Sequence, residues 1–427
     1  MQDNTILLLN VSLYVLTFII YIRKNNLVSL GTGVLALYAF SAFMTYGLYN
    51  NPLSNLEQPT IVPFVYLYIF LLLFFIPLLR FDSNRVDFQC VSKKELFFIN
   101  IFSVFIFLVT FLALLGSLRS FSLSSFLSVS SLADNYEETN EGLENYNNVS
   151  LGIFNYISML QFAIGDLSIF FLGIYLVLQN KKGIFLLGLS VLMTIIISMT
   201  KGARAGLVSI VFSLFFLCVV FYPFLKGSFK KIAKSILITI GAVVAIVFIA
   251  ITIGRFADDS TSDVTNFFIQ NYLGQSMIKF DNYGLDANGI RYGDRTAPVI
   301  RMLLGIGTST NFYERRELFS HMLIDDSYFY TFVGDFTLDY GPFWGAFIMM
   351  LMILFFYRKL TIKRGECYKL SHLLLLYVLF QWCMYGFTLW PFAEKMGNVK
   401  LIVYFIVYYI FKNQEIKFIK LWKRKHV

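Results

Sequence analysis

Long apolar segments recur along the whole 427-residue chain, and no other feature constrains its fold as strongly. A helix needs about 20 apolar residues to cross the hydrocarbon core of a bilayer, because each residue adds only about 1.5 Å to its length. The chain is 57% hydrophobic and only 14% charged, which excludes an ordinary water-soluble domain. We therefore predict an all-α polytopic integral membrane protein with about 11 (10–12) transmembrane helices.

The predicted spans leave two long connections between them. The spans are about 6–22, 27–49, 61–79, 96–116, 151–179, 184–200, 205–223, 236–254, 341–357, 370–389 and 399–412. The fifth is long, so 151–160 is either part of this span or a surface segment that leads into the membrane. We expect a single membrane domain over 1–427, with an acidic outer loop at 117–150 and a large outer loop at 255–340 that forms a lid. Long loops on a rigid helical scaffold often carry function. Within this lid, apolar residues at helical spacing over 267–280 predict a helix.

The distribution of cations predicts the orientation. Most of the 35 Lys and Arg residues fall in every second connection between spans. Because cytoplasmic connections are enriched in Lys and Arg, we place those connections on the cytoplasmic side. The N-terminus then lies outside and the C-terminus lies in the cytoplasm. Lysine predominates in the cytoplasmic connections and arginine in the outer ones. Guanidinium offers a planar fork that binds phosphate or carboxylate with two hydrogen bonds. An outer arginine therefore either binds an anionic ligand or forms a salt bridge with one of the many outer acids.

The turn between the sixth and seventh spans carries Lys201 and Arg204 among glycines, at the predicted outer surface. Cations at this depth need a polar cavity, lipid headgroups or an anionic ligand. The alternative is that both side chains reach the headgroups by extending along the lipid interface. Arg255 ends the eighth span at the same predicted boundary and is a candidate for the same ligand.

Asp166 lies inside the fifth apolar segment. A carboxylate within a membrane span is a candidate functional site or the partner of a buried cation. We expect Asp166 either to take part in chemistry or to neutralise a neighbouring arginine.

His321 is the only histidine on the predicted outer face. Histidine titrates near neutral pH, and Asp325 at i+4 would be near enough on a helix to orient the imidazole. This pair is suited to deprotonating an acceptor hydroxyl. The alternative is that His321 is an ordinary surface or packing residue.

Several signatures are absent from the sequence. It has no Walker A motif, no GxSxG elbow, no HExxH and no Cys or His spacing typical of zinc. We expect no cofactor, no metal site and no nucleic-acid partner, so that any chemistry would be metal-independent.

The order of these features resembles the Wzy-type O-antigen or capsule repeat-unit polymerases. The resemblance rests on the Lys201–Gly206 turn, the large late outer loop, His321 followed by Asp326-Ser327-Tyr328-Phe329, and the Gly334–Gly345 stretch that leads into a span. It implies en bloc transfer of a glycan from undecaprenyl pyrophosphate to a new lipid-linked repeat unit. The reaction would take place on the outer face of a bacterial cytoplasmic (inner) membrane.

The resemblance also implies residue roles. Arg204 and Arg255 would bind the donor pyrophosphate. His321, or failing it Asp326, would be the base, so that the implied catalytic residues are His321, Asp326 and Arg204. The assisting pyrophosphate ligands would be Lys201, Arg291, Arg295 and Arg301, and the secondary site residues Asp166, Arg315 and Arg316.

Two other functions share this architecture. An O-antigen ligase would transfer the glycan to lipid A core, and a lipid-linked oligosaccharide flippase or other transporter would line a pathway with its buried charges. Transporters of this kind usually have symmetric halves with short loops, whereas this chain has one long loop, so we rank transport third. The expected partners are undecaprenyl-pyrophosphate-linked glycans, the lipid bilayer, and a chain-length regulator and flippase of the same pathway.

Overall fold

The computed structural model describes residues 2–25, 28–88, 91–119, 153–200, 204–256, 262–309, 312–324, 326–363 and 365–425. Within these ranges the regular structure is helical, and Val86 pairs with Tyr368 in an isolated parallel β-bridge. The predicted all-α class is therefore confirmed for this part of the chain.

Fifteen α-helices are present in the described ranges. They are α1 (Gln2–Lys24), α2 (Leu30–Tyr49), α3 (Ile61–Leu79), α4 (Lys93–Arg119), α5 (Ile153–Ile164), α6 (Leu167–Val177), α7 (Lys181–Thr200), α8 (Arg204–Val220), α9 (Gly227–Phe256), α10 (Ser262–Tyr283), α11 (Pro298–Leu303), α12 (Phe312–Leu318), α13 (Thr331–Leu360), α14 (Leu370–Tyr385) and α15 (Glu394–Lys425).

Each predicted apolar segment falls on one of these helices, except 151–179, which falls on α5 and α6, and the number of spans is not confirmed. Among the described residues, six helices are long and apolar enough to cross a membrane: α1, α2, α3, α4, α7 and α13. The number rises to seven if α5 and α6 form one bent span. The apolar helices α8 and α14 have 17 and 16 residues, which is somewhat short for a hydrocarbon core of about 30 Å. These apolar helices are compatible with a membrane protein.

The chain divides into two compact units. The first contains Met1–Phe81, Asp259–Ile362 and Val378–Val399. In it, α10 packs along α2, where Ser41 Oγ donates to the carbonyl oxygen of Leu273 at 2.7 Å and Thr45 Oγ1 to that of Gly274 at 2.8 Å. The helix predicted within 267–280 is thus confirmed as part of α10.

An aromatic core lies beside the start of α13. Trp382 is 2% exposed, and its ring centroid lies 5.3 Å from those of both Phe74 and Trp390. Phe336 of α13 stacks on Trp382 at 6.1 Å. Aromatic side chains bury a large apolar area each, so this core fixes the first half of α13 in the first unit.

Helix α13 is broken at Gly341. The φ and ψ of Gly341 are 76° and 163°, a conformation essentially restricted to glycine, and Pro342 follows. The half before the break, 331–339, is buried throughout, whereas Phe343 and Trp344 after the break are 75% and 61% exposed. The predicted span 341–357 therefore corresponds to the second half of α13.

The second unit contains Asp82–Asp258, Lys363–Tyr377 and Lys400–Val427. Its helices α5 and α6 replace the single long span predicted at 151–179, and they meet at an angle of 47°. The bend falls at Gly165 and Asp166. The rings of Phe170, Phe216 and Tyr377 pack against one another near this bend, with 5.5 Å between the centroids of Phe170 and Tyr377.

Candidate active site

Three arginines of the 255–340 segment are buried together with carboxylates in the first unit. Arg291, Arg295 and Arg315 are 4%, 5% and 2% exposed. The carboxylates within salt-bridge distance of them include Asp326, Asp335, Asp339 and Glu394. We call these seven residues the arginine–carboxylate cluster. A buried guanidinium without a partner is very unfavourable, so this pairing explains how the three arginines can be buried.

Arg291 joins the loop that follows α10 to the first half of α13. Its Nε donates to Oδ1 of Asp339 at 2.7 Å, and its Nη1 donates to the hydroxyl of Tyr330 at 2.8 Å and to Asp326. The backbone N–H of Arg291 donates to the carbonyl of Leu338 at 2.9 Å. Both the side chain and the backbone of Arg291 are therefore fixed.

Arg295 and Arg315 extend the cluster to the start of α15. Arg295 Nη1 donates to Oδ1 of Asp326 at 2.9 Å. Its Nε lies 3.1 Å from Oδ1 of Asp335 without an aligned hydrogen bond, so this contact is an ion pair only. Arg315 Nη1 donates to Oε2 of Glu394 at 2.9 Å, Nη2 donates to Oε1, and Nε donates to Asp326. Glu394 is 48% exposed and marks the solvent edge of the cluster.

The two carboxylates of α13 also accept hydrogen bonds from the backbone. Asp335 and Asp339 are four residues apart, which places them on one face of the helix. Oδ2 of Asp339 accepts from the N–H and the hydroxyl of Thr296 at 2.7 and 2.6 Å. Oδ2 of Asp335 accepts from the N–H of Trp390 at 2.6 Å. Hydrogen bonds from the backbone thus hold one oxygen of each carboxylate in place.

Asp326 is shared by all three arginines. Burial by itself would raise the pKa of this carboxyl, but the charges of Arg295, Arg291 and Arg315 outweigh burial and hold the pKa well below its usual value. Asp326 therefore stays ionised at neutral pH. A carboxylate stabilised in this way is a poor proton acceptor.

A cavity of about 280 Å³ opens in the same unit, against the first half of α13. Its lining includes Asp286, Gly289, Tyr292, Thr337 and Gly341. The side chain of Asp286 is exposed, and Tyr292 is 68% exposed. The cavity thus combines an accessible carboxylate with an accessible aromatic ring.

His321 packs against Gly289, one of the residues that line this cavity. It is exposed, and a Cβ added to Gly289 would lie 2.9 Å from its Nε2, so the imidazole packs directly over this glycine. Gly289 also has a φ of 153°, which disfavours any other residue. Asn288 Nδ2 donates to the backbone carbonyl of His321 at 3.3 Å. Asp325, the suggested partner of the imidazole, lies outside the described residues.

The loop that lines the cavity is conformationally strained. Asn288, Tyr292 and Gly293 have φ values of 58°, 54° and 79°. For a bulky residue such as Tyr292 the left-handed conformation costs about 1–2 kcal/mol. Arg291 and Gly293 on either side are buried, so the cluster holds Tyr292 in this conformation with its ring outward. Strain of this kind is concentrated at functional sites.

The remaining predicted arginines of the segment are less buried. The side chain of Arg301 is 17% exposed, and its Nη1 donates to the carbonyl of Tyr292 at 2.7 Å. Arg316 lies half-buried on α12.

The predicted cations of the outer turn are described only in part. Lys201 lies outside the described residues, and the side chains of Arg204, at the start of α8, and Arg255, near the end of α9, also lie outside the description.

Asp166 pairs with a lysine in the second unit, not with an arginine. Lys400 Nζ binds Oδ2 of Asp166, and Ser209 Oγ donates to the same oxygen at 2.9 Å. The hydroxyl of Tyr377 donates to the backbone carbonyl of Asp166 at 3.0 Å. The side chains of Lys400 and Asp166 are 11% and 15% exposed. The pair therefore sits at the bend between α5 and α6 and is largely shielded from solvent.

The sequence did not assign roles to several residues in or next to the arginine–carboxylate cluster, or to the lysine that pairs with Asp166. They are Asp294, Tyr330, Asp335, Asp339, Glu394 and Lys400. One partial signal was present: Asp335 and Asp339 have the four-residue spacing of one helix face. The same spacing of Arg291 and Arg295 carries no such meaning, because these two arginines lie in a turn and not on a helix.

No family model, no curated protein and no solved structure matches this chain. Among the described residues, no group of three or more His, Cys, Asp or Glu side chains is arranged to hold a metal ion.

Proposed function

We propose that the chain is a membrane glycosyltransferase that joins undecaprenyl-pyrophosphate-linked oligosaccharide repeat units on the outer face of a bacterial cytoplasmic membrane. The observation that supports this most is the exposed imidazole of His321 against Gly289, which lines a cavity with accessible Asp286 and Tyr292. The arginine–carboxylate cluster holds the wall of that cavity rigid. A rigid site on a membrane protein suits a polar substrate with a lipid anchor.

In the proposed reaction, His321 is the general base. The acceptor sugar hydroxyl attacks the anomeric carbon of the donor glycan, and the bond from this carbon to the pyrophosphate oxygen breaks. The hydroxyl proton moves to His321, and undecaprenyl pyrophosphate leaves with the bonding electron pair. His321 is preferred to Asp326 because the imidazole is accessible, whereas Asp326 is bound by three arginines and its pKa is lowered.

The cavity is the proposed acceptor site. An exposed tyrosine ring can stack on the apolar face of a sugar, and a carboxylate can accept hydrogen bonds from its hydroxyls. Tyr292 and Asp286 supply these two groups in the lining of the cavity. Its volume of about 280 Å³ is at the lower end for small-molecule sites, which suits a single sugar ring at the end of a chain.

Binding of the pyrophosphate is assigned to Lys201, Arg204 and Arg255. Arg291, Arg295 and Arg315 are already bound to carboxylates that outnumber them in the cluster, so their proposed role is to position the cavity wall. Guanidinium groups at the outer boundary would stabilise the charge that develops on the leaving pyrophosphate. Arg204→Lys keeps the charge but removes the planar fork, and we expect it to lower the rate of elongation.

The test is reconstitution of the purified protein with the lipid-linked repeat unit of its own host. A ladder of glycans that differ by one repeat unit supports the polymerase. Transfer to lipid A core without a ladder supports a ligase. Unchanged glycan would contradict the proposal. Elongation must also persist after the proteoliposomes are washed free of soluble protein, which excludes a contaminating soluble transferase.

A lipid-linked oligosaccharide transporter, ranked third from the sequence, is favoured by one separate observation. The bend between α5 and α6, with the Asp166–Lys400 ion pair at it, is a broken helix of the kind that transporters use at their binding sites. Movement of a fluorescent lipid-linked glycan across vesicles, without elongation, would support this candidate. The flippase and chain-length regulator expected from the sequence would be separate proteins under the first proposal.

A further inference from the structure

The first unit contains a short apolar loop that is exposed to an unusual degree. This loop, which we call the apolar finger, covers residues 298–307 and therefore includes the short helix α11. Residues 302–307 are exposed without interruption. The exposed large side chains are Ile300 at 58%, Met302 at 55%, Leu303 at 82%, Leu304 at 69% and Ile306 at 48%. Exposed apolar patches in a polar segment usually mark an interaction surface.

The finger is held at both ends. Before it, the N–H of Thr296 donates to Asp339 at 2.7 Å. After it, the N–H of Ser309 donates to Oδ1 of Asp294 at 3.0 Å, and Asp294 is 2% exposed. Because both ends are tied to buried carboxylates, the apolar side chains are presented by folded structure.

The single charged residue of the finger is turned away from its tip. Arg301 donates from Nη1 to the carbonyl of Tyr292 at 2.7 Å and from Nε to the carbonyl of Gly307 at 3.2 Å. Its guanidinium thus closes the base of the loop. The tip, from Met302 to Ile306, carries no ionisable side chain.

The base of the finger lies beside the break in α13, where buried residues are followed by exposed apolar side chains. The hydroxyls of Thr296 and Tyr340 are 3.1 Å apart, and Tyr340 directly precedes the break at Gly341. Phe343 and Trp344 then begin the apolar half of a candidate membrane span, with 75% and 61% of their surface exposed. Tryptophan and other aromatic residues at this position are typical of the membrane–water interface.

We propose that the apolar finger inserts into the interfacial region of the lipid bilayer on the side of the 255–340 segment. The occupant of the surface is lipid because the tip is uncharged and its base lies beside the aromatic side chains that begin a span. A stable protein partner would bury about 1,600 Å² in total, which five side chains on a narrow loop do not supply. Insertion would fix the height of the cavity wall relative to the lipid surface. This inference does not depend on the proposed glycan chemistry.

The experiment measures the surroundings of a nitroxide spin label at Leu303 in the full-length protein in proteoliposomes. Leu303→Cys is made in a Cys367→Ser background, because Cys367 is an exposed native thiol, and the signal of the labelled parent is subtracted. Phe343→Cys is the lipid-facing reference. Glu317→Cys, an exposed acidic position on α12, is the aqueous reference. Collisions with oxygen report lipid, and collisions with a water-soluble nickel chelate report water.

The proposal predicts an oxygen-to-nickel collision ratio at Leu303 that is several-fold above that at Glu317 and close to that at Phe343. A ratio equal to that at Glu317 would overturn it, because the finger would then lie in water. Shielding from both reagents would also overturn it, since protein would then cover the finger. Ile300→Cys in the same background repeats the measurement if labelling at Leu303 disturbs folding.

Discussion

Arg291 donates from Nε to Oδ1 of Asp339 across 2.7 Å, and the side chains of the two residues are 4% and 0% exposed. They are 48 positions apart in the chain. This contact joins a loop of the 255–340 segment to the half-helix that precedes the break in α13. The wall of the cavity therefore depends on a buried ion pair.

Removing one partner of this pair should destabilise the protein severely. Asp339→Asn keeps the shape but leaves Arg291 without its buried counter-charge, and we expect a loss of about 3–5 kcal/mol. Thermal unfolding in detergent, followed by size-exclusion chromatography, measures the change. Glu317→Gln removes an exposed carboxylate from the same segment and should change stability by less than about 0.5 kcal/mol. Equal behaviour of the two variants would contradict the account of the cluster.

Asp166 and Lys400 should show energetic coupling. Asp166→Asn and Lys400→Met each leave one largely buried charge unpaired, whereas the double variant removes both charges. We expect the double variant to be more stable than the sum of the single effects by about 0.5–3 kcal/mol. Additive effects in the same unfolding assay would mean that the ion pair contributes nothing at the bend between α5 and α6.

Asp281 should make stability depend on pH. Burial raises its pKa to about 7, although the N–H and hydroxyl of Thr60, which donate to it, oppose the shift. In the unfolded chain an aspartate titrates near pH 4. Between about pH 4 and 7 the folded state then holds more protons, so this group's contribution to stability is fully present below pH 4 and is lost as pH rises to 7.

The variant Asp281→Asn removes this titration. It should be more stable than the parent chain at pH 8, and the advantage should shrink at pH 5. Melting temperatures at the two pH values measure the effect. An advantage of the same size at both values would show that the carboxyl titrates normally in the folded state.

Gly341→Ala should be destabilising although there is room for the methyl group. The nearest side-chain atom to an added Cβ is Cγ2 of Ile290 at 3.8 Å, so the expected cost of about 1–3 kcal/mol comes from the backbone conformation. Gly188→Ala is the matched control, because Gly188 lies within α7 with nothing within 4 Å of an added Cβ. We expect this control to be neutral or stabilising. A neutral result at Gly341 would mean that the break in α13 is not rigid.

The all-helical class and the long apolar helices could be predicted because apolar length is a local property. The segment at 61–79, for example, coincides with α3 at Ile61–Leu79. The fifth segment was predicted as one span, and the structure divides it at Gly165 and Asp166. Gly165 and Asp166 interrupt the apolar pattern there, but one glycine and one carboxylate do not by themselves specify a bend, which also depends on the tertiary contacts of Asp166.

The site could be predicted only in part. The sequence indicated that outer arginines would meet either an anion or acidic side chains, and the structure shows the second for Arg291, Arg295 and Arg315. Glu394, for example, lies 79 positions from Arg315, and no local pattern specifies such pairs. Lys400 was missed as the partner of Asp166 for the same reason. The position of His321 over Gly289 also depends on a loop conformation that residue types do not determine.

The most direct test of the proposed site is the rate of glycan elongation by purified His321 variants in proteoliposomes. If His321 is the base, His321→Ala and His321→Gln should both lower the rate by about 10²–10⁴-fold, while the protein elutes as the parent does in size-exclusion chromatography. Glutamine fills similar space but does not accept the proton. Elongation by His321→Gln at the parental rate would contradict the account.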